Sequence, residues 1–378
     1  MDKMHSPEKL PPIKNPRFTA LDESRALAIF GMILFHYGSG TFKRLPSQLM
    51  FLTDPVLFLG RFATPAFITV FGITAGFVYF STFQTGRTDF IVRIYQRAWM
   101  VLAGAAVITI PEWINLWIHR DFSLNAWIFS LYSVLNFYAL AFFTLPLWLR
   151  LTRRNPVRDC WILGVVMWLI GLGLNVVWTQ NPEWKSSLGP TLVEYLRMNL
   201  ISGPYAYFQM AGFALWIIPL GFLLKRAMKQ ANLRRRFVQL VLLGLAVAIL
   251  GGGAGVWFNE LTVRKVVDGA VKAPPHMWYF LFFGGFALVM IGLLALAQPW
   301  MHRHMSRTMY VLALFGQSAL FIYVGQGFVL PMLGWLDGVV NIEGFWRIIL
   351  PLVVFVLFCS VVVLHRHRLV QSKSAAAG

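Results

Sequence analysis

Long apolar segments recur along almost the whole length of this chain of 378 residues. A helix advances about 1.5 Å per residue, so it needs about 20 predominantly apolar residues to cross about 30 Å of hydrocarbon. About ten segments approach or exceed this length, at residues 21–38, 55–80, 98–117, 127–149, 160–178, 205–224, 237–258, 277–297, 309–333 and 348–364. The sequence therefore predicts an all-α, polytopic integral membrane protein, a bundle of about ten transmembrane helices.

The composition excludes an ordinary soluble protein. Hydrophobic residues make up 58% of the chain and charged residues only 13%, whereas soluble domains are about 25% charged. A net charge of +18 would indicate a nucleic-acid partner in a soluble chain, but here the basic residues lie between apolar segments. We therefore expect the lipid bilayer as a partner and no nucleic acid.

The distribution of basic residues predicts the orientation. With the N-terminus in the cytoplasm, 22 of the 33 Lys and Arg residues fall in inner segments and eight in outer loops, the bias that cytoplasmic loops show. Both termini are therefore predicted to be cytoplasmic, with tails over residues 1–20 and 366–378 and a transmembrane domain over residues 21–365. No small-residue cleavage site follows the first apolar segment, so we expect that helix to be retained.

Two ionisable residues, Arg25 and His36, interrupt the first apolar segment. Eleven residues at about 100° each bring both side chains to one helix face, about 16 Å apart along the axis. An ionisable group inside the membrane is costly and normally faces the bundle interior, where it marks a functional path. A His at this depth either transfers protons, because its pKa lies near neutrality, or only hydrogen-bonds a neighbouring helix. The co-facial Arg favours the functional interpretation.

The stripe between these two residues is apolar and includes Ile29 and Met32. It suits an extended ligand that has an anionic group near Arg25 and a reactive end near His36. The phosphopantetheine arm of coenzyme A is such a ligand, with its phosphates at the basic cytoplasmic side and its thioester at the midplane.

The same residues resemble the first-helix signature of the acyltransferase 3 family. These membrane-bound O-acyltransferases modify extracytoplasmic glycans and include the glucan biosynthesis protein C branch. Arg25, ten intervening residues and His36 follow Leu21 and Asp22, as in that signature.

Weaker similarities to the family continue along nearly the whole chain. Residues 67–73 stand beside the family's Phe-Phe-Val-Leu-Ser-Gly pattern, with Phe71 in place of the Ser. A basic stretch from Arg93 to Arg97 follows, with wider spacing than the commonest form. Residues 315–324 resemble the family's Gly-x-x-Ser-Leu-x-Ile-Tyr helix, which often continues to a His where this chain has Gln326.

The resemblance implies an acyltransferase of the cell inner membrane. It implies transfer of an acyl group, most often acetyl, from cytoplasmic acyl-CoA to a hydroxyl of an exported or periplasmic polysaccharide. His36 is then the general base, and Arg25, Arg93 and Arg97 hold the CoA phosphates. Acyl-CoA is a substrate, so no permanently bound cofactor and no metal are expected.

Three further residues are substrate-side candidates, and each has a structural alternative. Arg61 lies near the outer end of the second segment, where it either meets the acceptor or anchors the helix at the interface. Gln326 either assists the reaction or forms an interhelical packing contact. Glu112 either contacts an acceptor sugar or lies among the Trp residues of the membrane interface.

Two functions from other classes remain open at this stage. In a secondary transporter or flippase, His36 would relay protons and the basic inner mouth would attract an anionic substrate. The ionisable groups concentrate on the first helix and the cytoplasmic side, and no matched pair of Gly/Pro-interrupted segments marks inverted repeats, which disfavours a carrier. A non-catalytic membrane subunit of a glycan-export assembly is the other alternative.

Overall fold

The computed structural model describes residues 18–41, 51, 53–84, 86, 89–180, 190–228, 233–340 and 346–375. Most of the predicted N-terminal tail and the last three residues of the predicted C-terminal tail lie outside these ranges. Within them the chain is helical almost throughout. The α-helices are α1 (Thr19–Thr41), α2 (Thr53–Gly60), α3 (Ala63–Thr74), α4 (Ser81–Gln84), α5 (Asp89–Ile108), α6 (Ile110–Ile118), α7 (Leu124–Ser130), α8 (Val134–Leu151), α9 (Pro156–Gln180), α10 (Pro190–Arg197), α11 (Tyr207–Ala227), α12 (Leu233–Trp257), α13 (Val263–Asp268), α14 (Met277–His304), α15 (Ser306–Gln317), α16 (Ala319–Val340) and α17 (Trp346–Ala375).

The predicted all-α membrane class is confirmed. In the described part of the chain, nine helical segments are long and apolar enough to cross a membrane, and each coincides with a predicted segment. The remaining predicted segment is α1, a helix of 23 residues. It is not among the nine, and it carries Asp22, Glu23, Arg25 and His36.

Two predicted segments are less regular than a single α-helix. The segment at 55–80 turns at Arg61 and Phe62 and changes to a π-helix over Ala75–Phe80. The segment at 309–333 is divided at Ser318, whose hydroxyl donates to the Leu314 carbonyl at 2.9 Å. Irregular turns of this kind, π-helices above all, often lie at functional sites.

Helix α11 forms the centre of the bundle. Most of its side chains are buried, and it packs against α9, α3 and the π-helix. Aromatic stacking joins it to α14, where the Phe213 and Phe280 ring centroids lie 4.9 Å apart. Next to this apolar core, residues of α1, α3, α5, α8, α15 and α16, of the π-helix and of α17 line a cavity.

The outer helices turn large apolar side chains away from the protein. Leu169 on α9 is 59% exposed, Ile249 on α12 is 70% exposed and Leu357 on α17 is 60% exposed. Apolar faces as extensive as these do not occur on soluble monomers. They are the lipid-facing surfaces of a multi-pass membrane protein, because hydrocarbon replaces water as their solvent.

Candidate active site

A cavity of about 620 Å³ lies along α1. Arg25, Met32 and His36 all line it, so the shared helix face identified in the sequence is the face that meets the cavity. Ile29 is fully buried and packs instead with a small apolar cluster that includes Phe315. The part of the cavity around Arg25 is called the Arg25 end below, and the part around His36 the His36 end.

At the Arg25 end, the guanidinium of Arg25 is held between two helices. Its Nη1 donates to Asp22 Oδ1 at 2.6 Å, and its Nη2 donates to Thr74 Oγ1 of α3 at 2.7 Å. Asp22 lies in the first turn of α1, where the helix dipole favours an acidic side chain. Its second oxygen accepts from Gln317 Nε2 at 3.4 Å, so α1, α3 and α15 meet at this one ion pair.

Close approach of two backbones makes that meeting possible. A Cβ placed on Gly316 of α15 would overlap the backbone carbonyl oxygen of Asp22. Only glycine fits there, since it has no Cβ. Gly316 and Gln317 both line the cavity as a result.

A second arginine enters the Arg25 end from α5. Arg97 donates to the hydroxyl of Tyr79, and its guanidinium carbon lies 5.6 Å from the Tyr79 ring centroid. Tyr79 belongs to the π-helix and lines the cavity. Arg93 lies one turn earlier on α5 and does not line the cavity. Its positive charge still interacts electrostatically with the Tyr79 hydroxyl, as do those of Arg25 and Arg97.

At the His36 end, Arg61 is fixed by backbone carbonyls. Its Nε donates to Val266 O at 3.0 Å and its Nη2 donates to Val267 O at 2.9 Å. Both acceptors belong to the last turn of α13, where carbonyls lack the usual bond along the helix, and Val266 O also accepts from the N–H of Gly269 at 3.2 Å. The Arg61 guanidinium also stacks over the Phe35 ring, 4.2 Å from its centroid.

Lys272 is a second cation at the His36 end among the described residues. Its Nζ lies 4.5 Å from the ring centroid of Tyr205 and donates to that hydroxyl at 3.4 Å. The positive charges of Lys272 and Arg61 both interact electrostatically with the His36 imidazole. A Cβ on Gly60 would overlap Phe35, so the absence of a side chain brings Arg61 and His36 into one compartment.

Apolar and aromatic side chains line the section between the two ends. The Phe71 ring makes edge contacts with Tyr138 and Phe142, with centroids 5.8 Å and 5.2 Å apart. Met32 and Leu135 complete this part of the wall. The cavity is therefore basic at both ends and apolar in the middle.

The structure separates the predicted site residues into two groups. Arg25, His36, Arg61 and Arg97 line one cavity, whereas Arg93, Glu112 and Gln326 do not. Glu112 is exposed on α6. Gln326 is buried, and its Nε2 lies 3.6 Å from Met32 Sδ. It therefore contacts the cavity residue Met32 without lining the cavity itself.

Several cavity residues were missed by sequence reasoning, namely Thr74, Tyr79, Tyr205, Lys272 and Arg366. Lys272 counted only as an outer-loop charge and Arg366 only as a charge of the C-terminal tail. No sequence signal identifies Lys272, because the fold of its loop places it. Arg366 has no signal in the sequence either, because only the packing of Val362, one turn earlier, in the cluster of Ala26 shows which face of the last helix meets the bundle.

These features define a polytopic membrane protein with a cavity along α1 that is basic at both ends and apolar in the middle. A family model described as an acyltransferase domain, that of the acyltransferase 3 family, matches residues 18–365. The chain therefore belongs to this family and is an acyltransferase, as its sequence resemblance predicted. No match was found among curated proteins or solved structures. Membership of this family does not support the transporter, flippase or non-catalytic alternatives.

Proposed function

We propose that this acyltransferase moves an acyl group, such as acetyl, from cytoplasmic acyl-CoA to a hydroxyl of an exported or periplasmic polysaccharide in the cell inner membrane. The observation that carries the proposal is the single cavity that Arg25 and His36 share. His36 follows Arg25 by eleven positions on α1, which is about 16 Å of helix. A donor bound by its phosphates at one end can therefore present its thioester at the other.

The Arg25 end supplies the chemistry that phosphates need. Arg25 and Arg97 come from different helices, and guanidinium groups form strong charge-assisted hydrogen bonds with phosphate oxygens. Arg93 adds a longer-range positive charge. The bias of basic residues towards inner segments supports a cytoplasmic position for this end, where acyl-CoA is available.

The middle section suits the rest of the donor. The phosphopantetheine arm is extended and largely uncharged, and the wall around Met32, Phe71 and Phe142 is apolar. Walls of this type also keep bulk water from the thioester, which limits hydrolysis.

At the His36 end, the imidazole accepts the proton of the acceptor hydroxyl while that oxygen attacks the thioester carbonyl carbon. The tetrahedral intermediate then breaks its carbon–sulfur bond. The thiolate of CoA leaves and takes a proton from the imidazolium, which restores neutral His36 and gives the ester. General base catalysis of this kind contributes about 10²- to 10⁴-fold.

Among the substrate-side candidates, the geometry supports Arg61 most directly, because it lines the cavity and stacks on the residue next to His36. Gln326 supports Met32 from behind and is proposed as a positioning residue. Glu112 is a candidate only for contact with acceptor outside the cavity.

The decisive experiment compares purified wild-type protein with His36→Ala. We expect acetyl transfer from acetyl-CoA to a polysaccharide acceptor to fall by about 10²- to 10⁴-fold, with CoA binding by calorimetry unchanged. His302→Ala, at an exposed His of α14, is the matched control and keeps full activity. Equal activity in wild type and His36→Ala would exclude the general-base role.

Orientation is tested separately by reporter fusions. A fusion at Arg234 should report the cytoplasm, and a fusion at Lys265 should report the outside, because the basic residues concentrate on the Arg234 side. The opposite result would place the Arg25 end away from cytoplasmic acyl-CoA and contradict the donor assignment.

A further inference from the structure

The last helix extends beyond a membrane span and brings Arg366 to the cavity. Helix α17 has 30 residues, about 45 Å, whereas the hydrocarbon layer is about 30 Å thick. Its Phe358 and Val362 pack in the same cluster as Ala26 and Ile29 of α1. Arg366 lies one turn after Val362 on this face and lines the cavity.

A hydrogen bond between helices fixes this end of α17. The hydroxyl of Tyr310 on α15 lies 2.9 Å from Nδ1 of His367, and the two rings meet edge to face with centroids 5.7 Å apart. The residue next to Arg366 is therefore tied to the helix that also supplies Gly316 and Gln317 to the cavity lining. Arg366 accordingly belongs to the Arg25 end.

Arg366 differs from the other two arginines of this end in its partners. Arg25 pairs with Asp22, and Arg97 donates to Tyr79. The Nε of Arg366 is buried and has no hydrogen-bond partner among the described residues. Within the same residues, no carboxylate forms an ion pair with it. A buried donor without a partner costs free energy, and a bound anion would remove that cost.

We propose that Arg366 is a donor-binding residue that contacts a phosphate group of acyl-CoA. The inference rests on the proposed function, because it takes acyl-CoA as the ligand of the Arg25 end. Coenzyme A carries a diphosphate and a separate 3′-phosphate, more anionic groups than one guanidinium can hold. A third arginine, on a third helix, matches that distribution of charge, and its planar fork suits phosphate oxygens.

The test measures full-length Arg366→Ala with two donors, acetyl-CoA and acetyl-pantetheine, which lacks every phosphate. We expect the KM for acetyl-CoA and the Kd for CoA to rise about tenfold to hundredfold, the effect of one charge-assisted hydrogen bond. The KM for acetyl-pantetheine stays at the wild-type value. Arg366→Lys recovers part of the acetyl-CoA loss and shows that the altered site still folds.

The matched control is Arg368→Ala, which removes the same charge from an exposed position two residues along α17 and leaves both donors unaffected. An unchanged KM for acetyl-CoA in Arg366→Ala, or an equal rise for both donors, would overturn the inference. A wild-type protein that neither binds CoA nor consumes acetyl-CoA would instead refute the proposed donor, so the two failures are distinguishable.

Discussion

Arg25 and Arg61, which lie at opposite ends of the cavity, are held by different kinds of group. At the Arg25 end, Arg25 donates to the Asp22 carboxylate and to the Thr74 hydroxyl. At the His36 end, Arg61 is bound by the Val266 and Val267 carbonyls. Under the proposed function, Asp22 and Thr74 orient Arg25 for the phosphates of the donor, whereas the backbone carbonyls of α13 fix Arg61 beside His36, where the reaction takes place.

This contrast separates two kinds of effect in enzyme kinetics. Substitutions at the Arg25 end should raise the Kd for the donor, because they remove contacts that the donor already makes before the reaction. Changes at the His36 end, or between the ends, should act on kcat.

After the loss of His36 itself, the largest effect is expected from blocking the passage between the ends. Met32 is buried, lines the cavity and precedes His36 by one turn. In Met32→Trp, added bulk should stop the thioester short of His36 and lower kcat about hundredfold, with the Kd for CoA little changed. Leu34→Trp places the same ring on the exposed face of α1 and should remain active. A loss of CoA affinity that matches the loss of kcat would contradict the separation of the two ends.

Removal of the Arg25 side chain should have the next largest effect. Arg25→Ala is expected to raise the Kd for CoA about tenfold to hundredfold, with kcat nearly unchanged at saturating donor. Arg25→Lys should recover only part, because Lys presents a point charge. Arg158→Ala breaks an exposed pair with Asp159 and is the control. A fall in kcat without a change in Kd would reassign Arg25 to the reaction itself.

Gly60→Ala tests whether the spacing of helices sets the His36 end. The new Cβ would overlap Phe35, so α1 and α2 must move apart, which costs about 1–3 kcal/mol of stability. We expect kcat to fall about tenfold through misplacement of His36, with CoA binding retained. Gly173→Ala meets no atom within 4 Å and should match wild type. Full activity in Gly60→Ala would show that the compartment tolerates this displacement.

The smallest effect is expected from a single hydrogen bond at the Arg25 end. Thr74→Val keeps the shape of the side chain and removes the acceptor of Arg25 Nη2. One such bond is worth about 1 kcal/mol, so we expect its loss to raise the Kd for CoA about fivefold. Thr179→Val, whose hydroxyl bonds only carbonyls of its own helix, is the control. An unchanged Kd would mean that Arg25 does not need α3 to bind the donor.

Arg25, Met32 and His36 were open to prediction because they lie on one helix. The spacing of Arg25 and His36 fixes their shared face by helical periodicity alone, and the structure turns that face to the cavity. Arg97 was identified through a motif, and it reaches the same cavity. The sequence placed Gln326 on its helix. Its contact with Met32 could not be predicted, because that contact depends on how two helices pack.

The sequence by itself determined the class of protein, the position of its apolar segments and the common face of Arg25 and His36. Each of these follows from local composition and from the period of the helix. Only the tertiary structure decided that Lys272 and Arg366 enter the cavity, that Arg61 is held by α13 and that Gly60 joins Arg61 to His36. These contacts join residues far apart in the chain, and no local period encodes which helix faces meet or how a loop folds back between them.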